Sequence, residues 1–578
     1  MSKFALGIVT RAASLAMGLG VGVGALGLAA SCGSDTSADS GSTTNYDGRP
    51  SDAVDGNSNG SSSGGSPSYS RDAGTWTGTG GSYMIGYAGS SSVEPEDDAG
   101  PPPPPEEEVE SSFRTPVATG SYVWTANPSS GYVAAIDVSS PALEIQTMEA
   151  GNAPTYLVGV SNPEDPEDNA ALVLNVLSHD ATLLRIGHQS VTFSTHEGAN
   201  SLKVSPSGHY AVAWTDAREV EDADPLDTFQ EITVLSLSRG NEKRLSVGVR
   251  PFSVSFDAAE DRAYVVTEEG ISVIDLNGPK VVGNFEVTDD PVDDPALRDV
   301  TITPDGAWAL VRVDNRRDVS IVSLDDGQRT VFTFPDTVTD LDLSEDGTLA
   351  VAVLAPPTSE SYSGYALLPI PGSVTHPPDV AHQISARFGS VSVSRDASVA
   401  LLYTTVHEEY GEATEHVTIL KLDGLTHRTE NVRAPVRAVF PAPDAAHAIV
   451  LEEPPSDSTR AGAFSIVPIA ADIRPTLVAT NARPQAVAMT PDGKKALVTV
   501  RDDDKHVYGV HLVDLPTRRQ DLIELASAPL ATGIVAGAHK GYVAQEYPEG
   551  RITIIDFDEP GGAPRTVTGF ELGSRTAR

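Results

Sequence analysis

Ten related segments, recurring about every 47 residues, govern what this 578-residue chain can fold into. The clearest copy reads Ala263-Tyr264-Val265-Val266-Thr267, a short turn, then Ile271-Ser272-Val273-Ile274-Asp275-Leu276. A related copy opens the series, with Tyr122-Val123-Trp124-Thr125 leading to Ala135-Ile136-Asp137-Val138. Another closes it, with Gly541-Tyr542-Val543 leading to Ile554-Ile555-Asp556-Phe557. Short apolar runs broken by turn residues read as strands. With the residue equivalent to Asp275 as phase marker, the copies fall at 137, 185, 236, 275, 323, 369, 421, 468, 514 and 556. That spacing suits one four-stranded propeller blade, a unit that must stack on its neighbours to bury both faces.

A second signature follows the inner strand of many copies. Ser205-Pro206-Ser207-Gly208, Thr303-Pro304-Asp305-Gly306, Ser344-Glu345-Asp346-Gly347 and Thr490-Pro491-Asp492-Gly493 each interrupt two β-rich runs. Degenerate copies stand at Ser394-Arg395-Asp396-Ala397 and Ala442-Pro443-Asp444-Ala445. Pro presets φ at the first turn position, Asp bonds its own backbone, and Gly takes the positive φ that closes a hairpin. A two-sheet sandwich would not repeat one turn chemistry at constant spacing. The fold class is therefore all-β, a β-propeller of four-stranded blades. The copies give ten sets of outer strands but only nine inner strands, since the first unit begins at its second strand. One ring of about 8–10 units is expected, above the usual range of about 4–8. The alternatives are terminal units outside the ring, or two smaller rings.

These residues resemble the YVTN-type β-propeller repeats, a bacterial and archaeal relative of the WD-repeat family. The resemblance spans residues 121–572 and is close at 263–282, while the Gly-His and Trp-Asp signatures of true WD repeats are absent. It implies a ring of blades around a central channel. In some members that channel binds partners, in others it works as a lactonase, and some members bind redox cofactors.

Ahead of the repeats, residues 1–31 read as an export signal. Lys3 and Arg11 supply the positive start, and the apolar run from Ala12 to Ala30 follows. At 19 residues that run is near membrane-spanning length, so an uncleaved helix is the alternative reading. Five glycines within it (Gly18, Gly20, Gly22, Gly24, Gly27) weaken a permanent helix. The run closes on Leu28-Ala29-Ala30-Ser31-Cys32, which looks like the lipobox of bacterial lipoproteins, with Ala29 where the family more often has Leu. The resemblance implies diacylglycerol on the Cys32 sulfur, cleavage just before it and acylation of the new amine. Several acyl chains anchor stably where one binds marginally. Gly33 in place of Asp implies, by the enterobacterial sorting pattern, the outer membrane rather than the inner one.

Residues 32–112 then form a tether of Ser, Gly, Asp, Thr and Pro, with 14 acidic residues and only Arg49 and Arg71 basic. Runs such as Ser61-Ser62-Ser63-Gly64-Gly65 bury too little apolar surface to offset ordering entropy. Pro101 to Pro105 favour an extended conformation, and a flexible tether of this length reaches roughly 50 Å. Tyr83-Met84-Ile85-Gly86-Tyr87 is the one apolar patch inside it, read as incidental composition before a docking segment. The propeller domain is assigned to 113–578.

Charge narrows the partners. With 39 Lys+Arg against 80 Asp+Glu the net charge is −41, which speaks against nucleic acid and against peripheral attraction to anionic lipid. A single cysteine excludes a disulfide scaffold, a thiolate zinc site and an iron–sulfur cluster.

In an up-and-down blade, the loop after the second strand and the loop leaving the fourth emerge on one face. That face receives most of the long insertions, at 216–229, 287–297, 355–363, 407–415, 452–462 and 501–506. They carry Asp216, Glu219, Glu221, Asp222 and Asp224; Asp289, Asp290, Asp293 and Asp294; Glu408, Glu409, Glu412 and Glu415; and Asp502, Asp503 and Asp504. Such a face could recruit Ca²⁺ or a cationic partner, although no run has EF-hand spacing and acidic loops also serve solubility. Gly56-Asn57-Ser58-Asn59-Gly60 matches the nucleophile-elbow pattern formally but lies in the tether. His407 and His416 flank Glu408 and Glu409 without the His-Glu-x-x-His spacing. Trp124, Trp214 and Trp308 fall in second strands, where blade packing explains them. No catalytic, cofactor or metal residue is assigned; Cys32 is the one assigned site, for lipidation. The leading expectation is an anchored envelope lipoprotein whose propeller head binds another protein. The alternative is a metal-dependent hydrolase of the lactonase-like kind, drawing on inner-strand Asp299, Asp340, Asp342 and Gln485.

Overall fold

The computed structural model describes residues 113–161, 169–220, 227–288, 297–355, 362–375, 382–405, 414–453, 461–470 and 472–570. It also gives the backbone of two two-residue strands, Leu28–Ala29 and Tyr83–Met84, which pair in parallel. Cys32 and the expected signal and tether otherwise lie outside the described residues.

The repeat becomes ten four-stranded antiparallel sheets, each built from four consecutive strands in sequence order. Blade 1 comprises Val117–Thr119, Tyr122–Asn127, Tyr132–Asp137 and Glu144–Glu149. Blade 10 comprises Pro529–Val535, Lys540–Gln545, Arg551–Asp556 and Arg565–Thr568. The inner strand of blade 1, Val117–Thr119, corrects the expectation of nine inner strands. Every phase marker from Asp137 to Asp556 is the last residue of a third strand. Aspartate recurs there because its carboxylate closes the next hairpin. Asp137 Oδ1 accepts from Ser139 N–H at 2.9 Å, Asp275 Oδ1 from Asn277 N–H at 3.0 Å, and Asp556 Oδ1 from Asp558 N–H at 3.1 Å.

The turn after the inner strand is closed by side chains as its sequence dictates. Asp305 Oδ1 accepts from Ala307 N–H at 3.0 Å, and Asp492 Oδ1 from Lys494 N–H at 3.1 Å. Thr303 Oγ1 accepts from Trp308 N–H at 3.0 Å, bridging the hairpin's mouth. The fourth turn residue has positive φ whether it is Gly306 (67°) or, in the degenerate copies, Ala397 (54°) and Ala445 (53°). Glycine relieves that strain, and alanine bears it.

First strands contact the first strands of adjacent blades and so line the axis, while fourth strands form the rim. Along the rim strand Lys280–Glu286, exposed and half-buried residues alternate with period two. Between the blades lie ten apolar clusters, one for each interface, and the tenth joins blade 10 to blade 1. The ring is therefore single and closed, with ten blades. Trp124 and Trp214 are fully buried between blades, and Trp308 packs against the cluster joining blades 5 and 6.

Closure joins the two ends without exchanging a strand. Phe113 meets Phe570 edge-on at 5.3 Å, Tyr542 Oη donates to the Pro116 carbonyl at 2.9 Å, and Lys540 Nζ donates to the Val138 carbonyl at 2.7 Å. No helix among the described residues is long and apolar enough to cross a membrane.

Candidate functional site

The channel wall is the first place where inner-strand chemistry could act. Five inner strands shift register by one residue near their start, at Thr155, Thr339, Arg437, Gln485 and Leu530, the mark of a bulge. A bulge re-aims a side chain, and here two of the re-aimed groups reach the next blade. Thr339 Oγ1 donates to the Gly389 carbonyl at 2.7 Å, and Arg437 Nη1 to the Pro484 carbonyl at 2.6 Å.

Asp340 and Asp342 continue the same pattern. Asp340 Oδ2 accepts from Val391 N–H at 2.8 Å and Asp342 Oδ2 from Val393 N–H at 2.6 Å, both on the inner strand Ser390–Val393 of blade 7. Their other oxygens accept from the following N–H groups of Leu341 and Leu343, at 2.9 and 3.0 Å. Both carboxyls are buried, and burial is the largest influence on each. It lifts Asp340 to about 7 against the opposing pull of Arg312 and the Val391 N–H. It lifts Asp342 well above the ordinary carboxyl range, with Asp340 adding to the effect.

Asp299 lies on the other side of this group, with Oδ2 3.7 Å from Arg312 Nε, while Asp314 Oδ1 is 2.7 Å from Arg312 Nη1. Of the four inner-strand candidates, Asp340 and Asp342 thus join blade 6 to blade 7, and Asp299 pairs with Arg312 within blade 5. The fourth, Gln485, sits buried at its bulge, and its Oε1 has no hydrogen-bond partner among the described residues.

The loop face is the second place. Asp216 is buried and clamps Arg218 through both carboxylate oxygens. Arg218 in turn stacks over Phe252 at 4.8 Å and donates to its carbonyl at 2.8 Å. Asp502 holds Lys505 at 2.8 Å, and Asp503 holds Arg501, which also reaches Glu546 at 2.8 Å. These acids have local cationic partners. Residues 221–226, 289–296 and 406–413, including His407, lie outside the described residues. His416 Nε2 is 3.0 Å from the Arg387 carbonyl. No group of three or more His, Cys, Asp or Glu side chains among the described residues could hold a metal ion.

One functional-looking residue was not signalled by the sequence. His196, in the connector between blades 2 and 3, lies fully buried between two threonines. Its Nδ1 is 3.0 Å from Thr233 Oγ1 and its Nε2 3.2 Å from Thr215 Oγ1. Burial, with Arg244 adding, depresses it to about 4. A neutral histidine held on both nitrogens is a packing element of blade 3.

No family model and no curated protein matches the chain. Solved structures do. Kuenenia stuttgartiensis hydrazine synthase is 14% identical, with 57% of this chain and 96% of that one covered and a TM-score of 0.32. A eukaryotic initiation factor is 11% identical, with 80% and 96% covered and a TM-score of 0.46. The Myceliophteria thermophila Cps50 (Swd1) β-propeller domain is 12% identical, with 51% and 92% covered and a TM-score of 0.31. Likenesses this distant carry no argument about activity, and the β-propeller assignment stands on the ten blades themselves.

Proposed function

We propose that the chain is a lipid-anchored extracytoplasmic lipoprotein whose β-propeller head binds another protein on its loop face. The observation that carries the binding reading is the closed ring, a rigid scaffold that gathers the loops after second and fourth strands on one side. Asp340 and Asp342, on which a hydrolase reading would draw, already bond to the inner strand of blade 7, and Asp299 pairs with Arg312 inside blade 5. The anchor reading draws on Leu28-Ala29-Ala30-Ser31-Cys32 and places the head at the end of the 32–112 tether, at the outer membrane before the inner one.

Photo-crosslinking in cells tests the binding face. A crosslinker at Leu177 or Asp504, on the loop face, is expected to capture a discrete protein. The same group at Asp305 or Asp346, in the tight turns of the opposite face, is expected to capture none. Equal capture from both faces, or none from either, contradicts the assignment. The anchor is tested separately by metabolic labelling with a fatty-acid analogue. Label and membrane fractionation should both be lost in Cys32→Ser, and retention of either contradicts lipidation at Cys32.

A further inference from the structure

We propose that the seam between blades 6 and 7 is a proton-operated clasp, in which Asp340 and Asp342 hold the channel-facing edge of the next inner strand more tightly as the surroundings acidify. The geometry is specific. Two carboxylates two residues apart on Val338–Leu343 meet two N–H groups two residues apart on Ser390–Val393, so the strands are joined by side chain to backbone instead of by a ladder. Thr339 completes the join through the Gly389 carbonyl.

The charged groups that act most strongly on the pair belong to blade 5. The inner strand of blade 5 contributes Asp299, and its second strand and the turn beyond contribute Arg312 and Asp314. The second strands of blades 6 and 7, Leu349–Leu354 and Val399–Tyr403, contribute no charged residue. The inner strand of blade 7 meets the pair through the backbone N–H groups of Val391 and Val393. Asp299, Asp340 and Asp342 therefore act on one another in a buried site beside the Arg312 guanidinium.

A proton removes that repulsion and the burial cost. Placed on Oδ1, which otherwise accepts from the following residue, it leaves Oδ2 free to keep its bond across the seam. The sign follows from linkage. A carboxyl raised from 3.8 to about 7 binds a proton when the seam closes, so its contribution is full below 3.8 and is lost as pH rises to about 7. The effect is local and opposite in direction to that of an ordinary paired aspartate.

Hydrogen exchange on the full chain tests it. After correction for intrinsic rates, the Val391 and Val393 amides should be at least about tenfold more protected at about pH 5 than at about pH 8. Val498 and Val500 in blade 9 should change much less. The double substitution Asp340→Asn with Asp342→Asn should flatten the dependence. Equal or greater protection at the higher pH, or an unchanged dependence in the folded variant, overturns the clasp. Infrared titration of the unmodified protein keeps the test decisive where the variant does not fold. A protonated-carboxyl band disappearing near pH 7 is expected, and absence of any such band at about pH 6 overturns the proposal.

Discussion

Deleting residues 113–119 is expected to open the ring and to cost about 5 kcal/mol or more, a large share of the roughly 5–15 kcal/mol that holds a typical domain. The deletion removes the inner strand of blade 1 and with it Val117, buried in the first interface. Trp124 Nε1 loses Thr119 Oγ1, to which it donates at 2.7 Å, and the fully buried Tyr542 hydroxyl loses the Pro116 carbonyl. Each buried donor left unpaired costs about 1–3 kcal/mol, and burial of a valine contributes about 1.5 kcal/mol or more. Phe570 also loses its edge-on partner Phe113. Stacked repeats depend on their neighbours, so two exposed ends should replace one cooperative melt with a broad transition starting from blades 1 and 10. The milder Tyr542→Phe removes one bond and should cost about 1 kcal/mol with closure intact. Calorimetry of the deletion variant checks the expectation, and a sharp melt at the unmodified temperature contradicts it.

The second large effect is expected at His196. Its ring fills the space between Thr215 and Thr233, and His196→Ala should cost about 2–4 kcal/mol through the cavity and the loss of the two ring hydrogen bonds. The residue also sets an acid limit. Its folded value of about 4 lies below the ordinary 6.5, so the unfolded chain takes up the proton first. The stability it contributes is full above 6.5 and is lost as pH falls to about 4, an amount of about 3 kcal/mol. Denaturant titrations at a series of pH values should show this loss in the unmodified protein and a flatter profile in His196→Ala. The Asp340–Asp342 seam runs in the opposite direction over an overlapping range, which is why its test is local exchange and not global stability.

The ring was legible because two turn chemistries repeat in phase. Aspartate at the end of the third strand and the Pro-Asp-Gly hairpin after the first both report backbone requirements, which a single sequence displays directly. The inner strand of blade 1 escaped because it has three residues and turns through Gly120-Ser121, without the usual hairpin residues. The partners of the segment leading into it, Tyr542 for Pro116 and Phe570 for Phe113, lie more than 400 residues away. His196 escaped for a related reason, since Thr215, just past the second strand of blade 3, and Thr233, within the third, stand 19 and 37 residues further on. Asp340 and Asp342 were visible as an alternating Asp-Leu-Asp-Leu strand. Alternation says that they share a face, but not whether that face meets the channel or the next blade. The acids of the loop face were visible as runs, whereas their pairing with Arg218, Lys505 and Arg501 depends on turns that place cation beside anion.

The central claim is that ten blades close into one ring and so present a single rigid loop face to a partner. Single-particle imaging of the full chain, viewed down the axis, tests it most directly. Class averages should show one continuous ring of ten blades with the blade 10 to blade 1 junction closed. An open arc, a pair of smaller rings or a different number of blades would contradict the account.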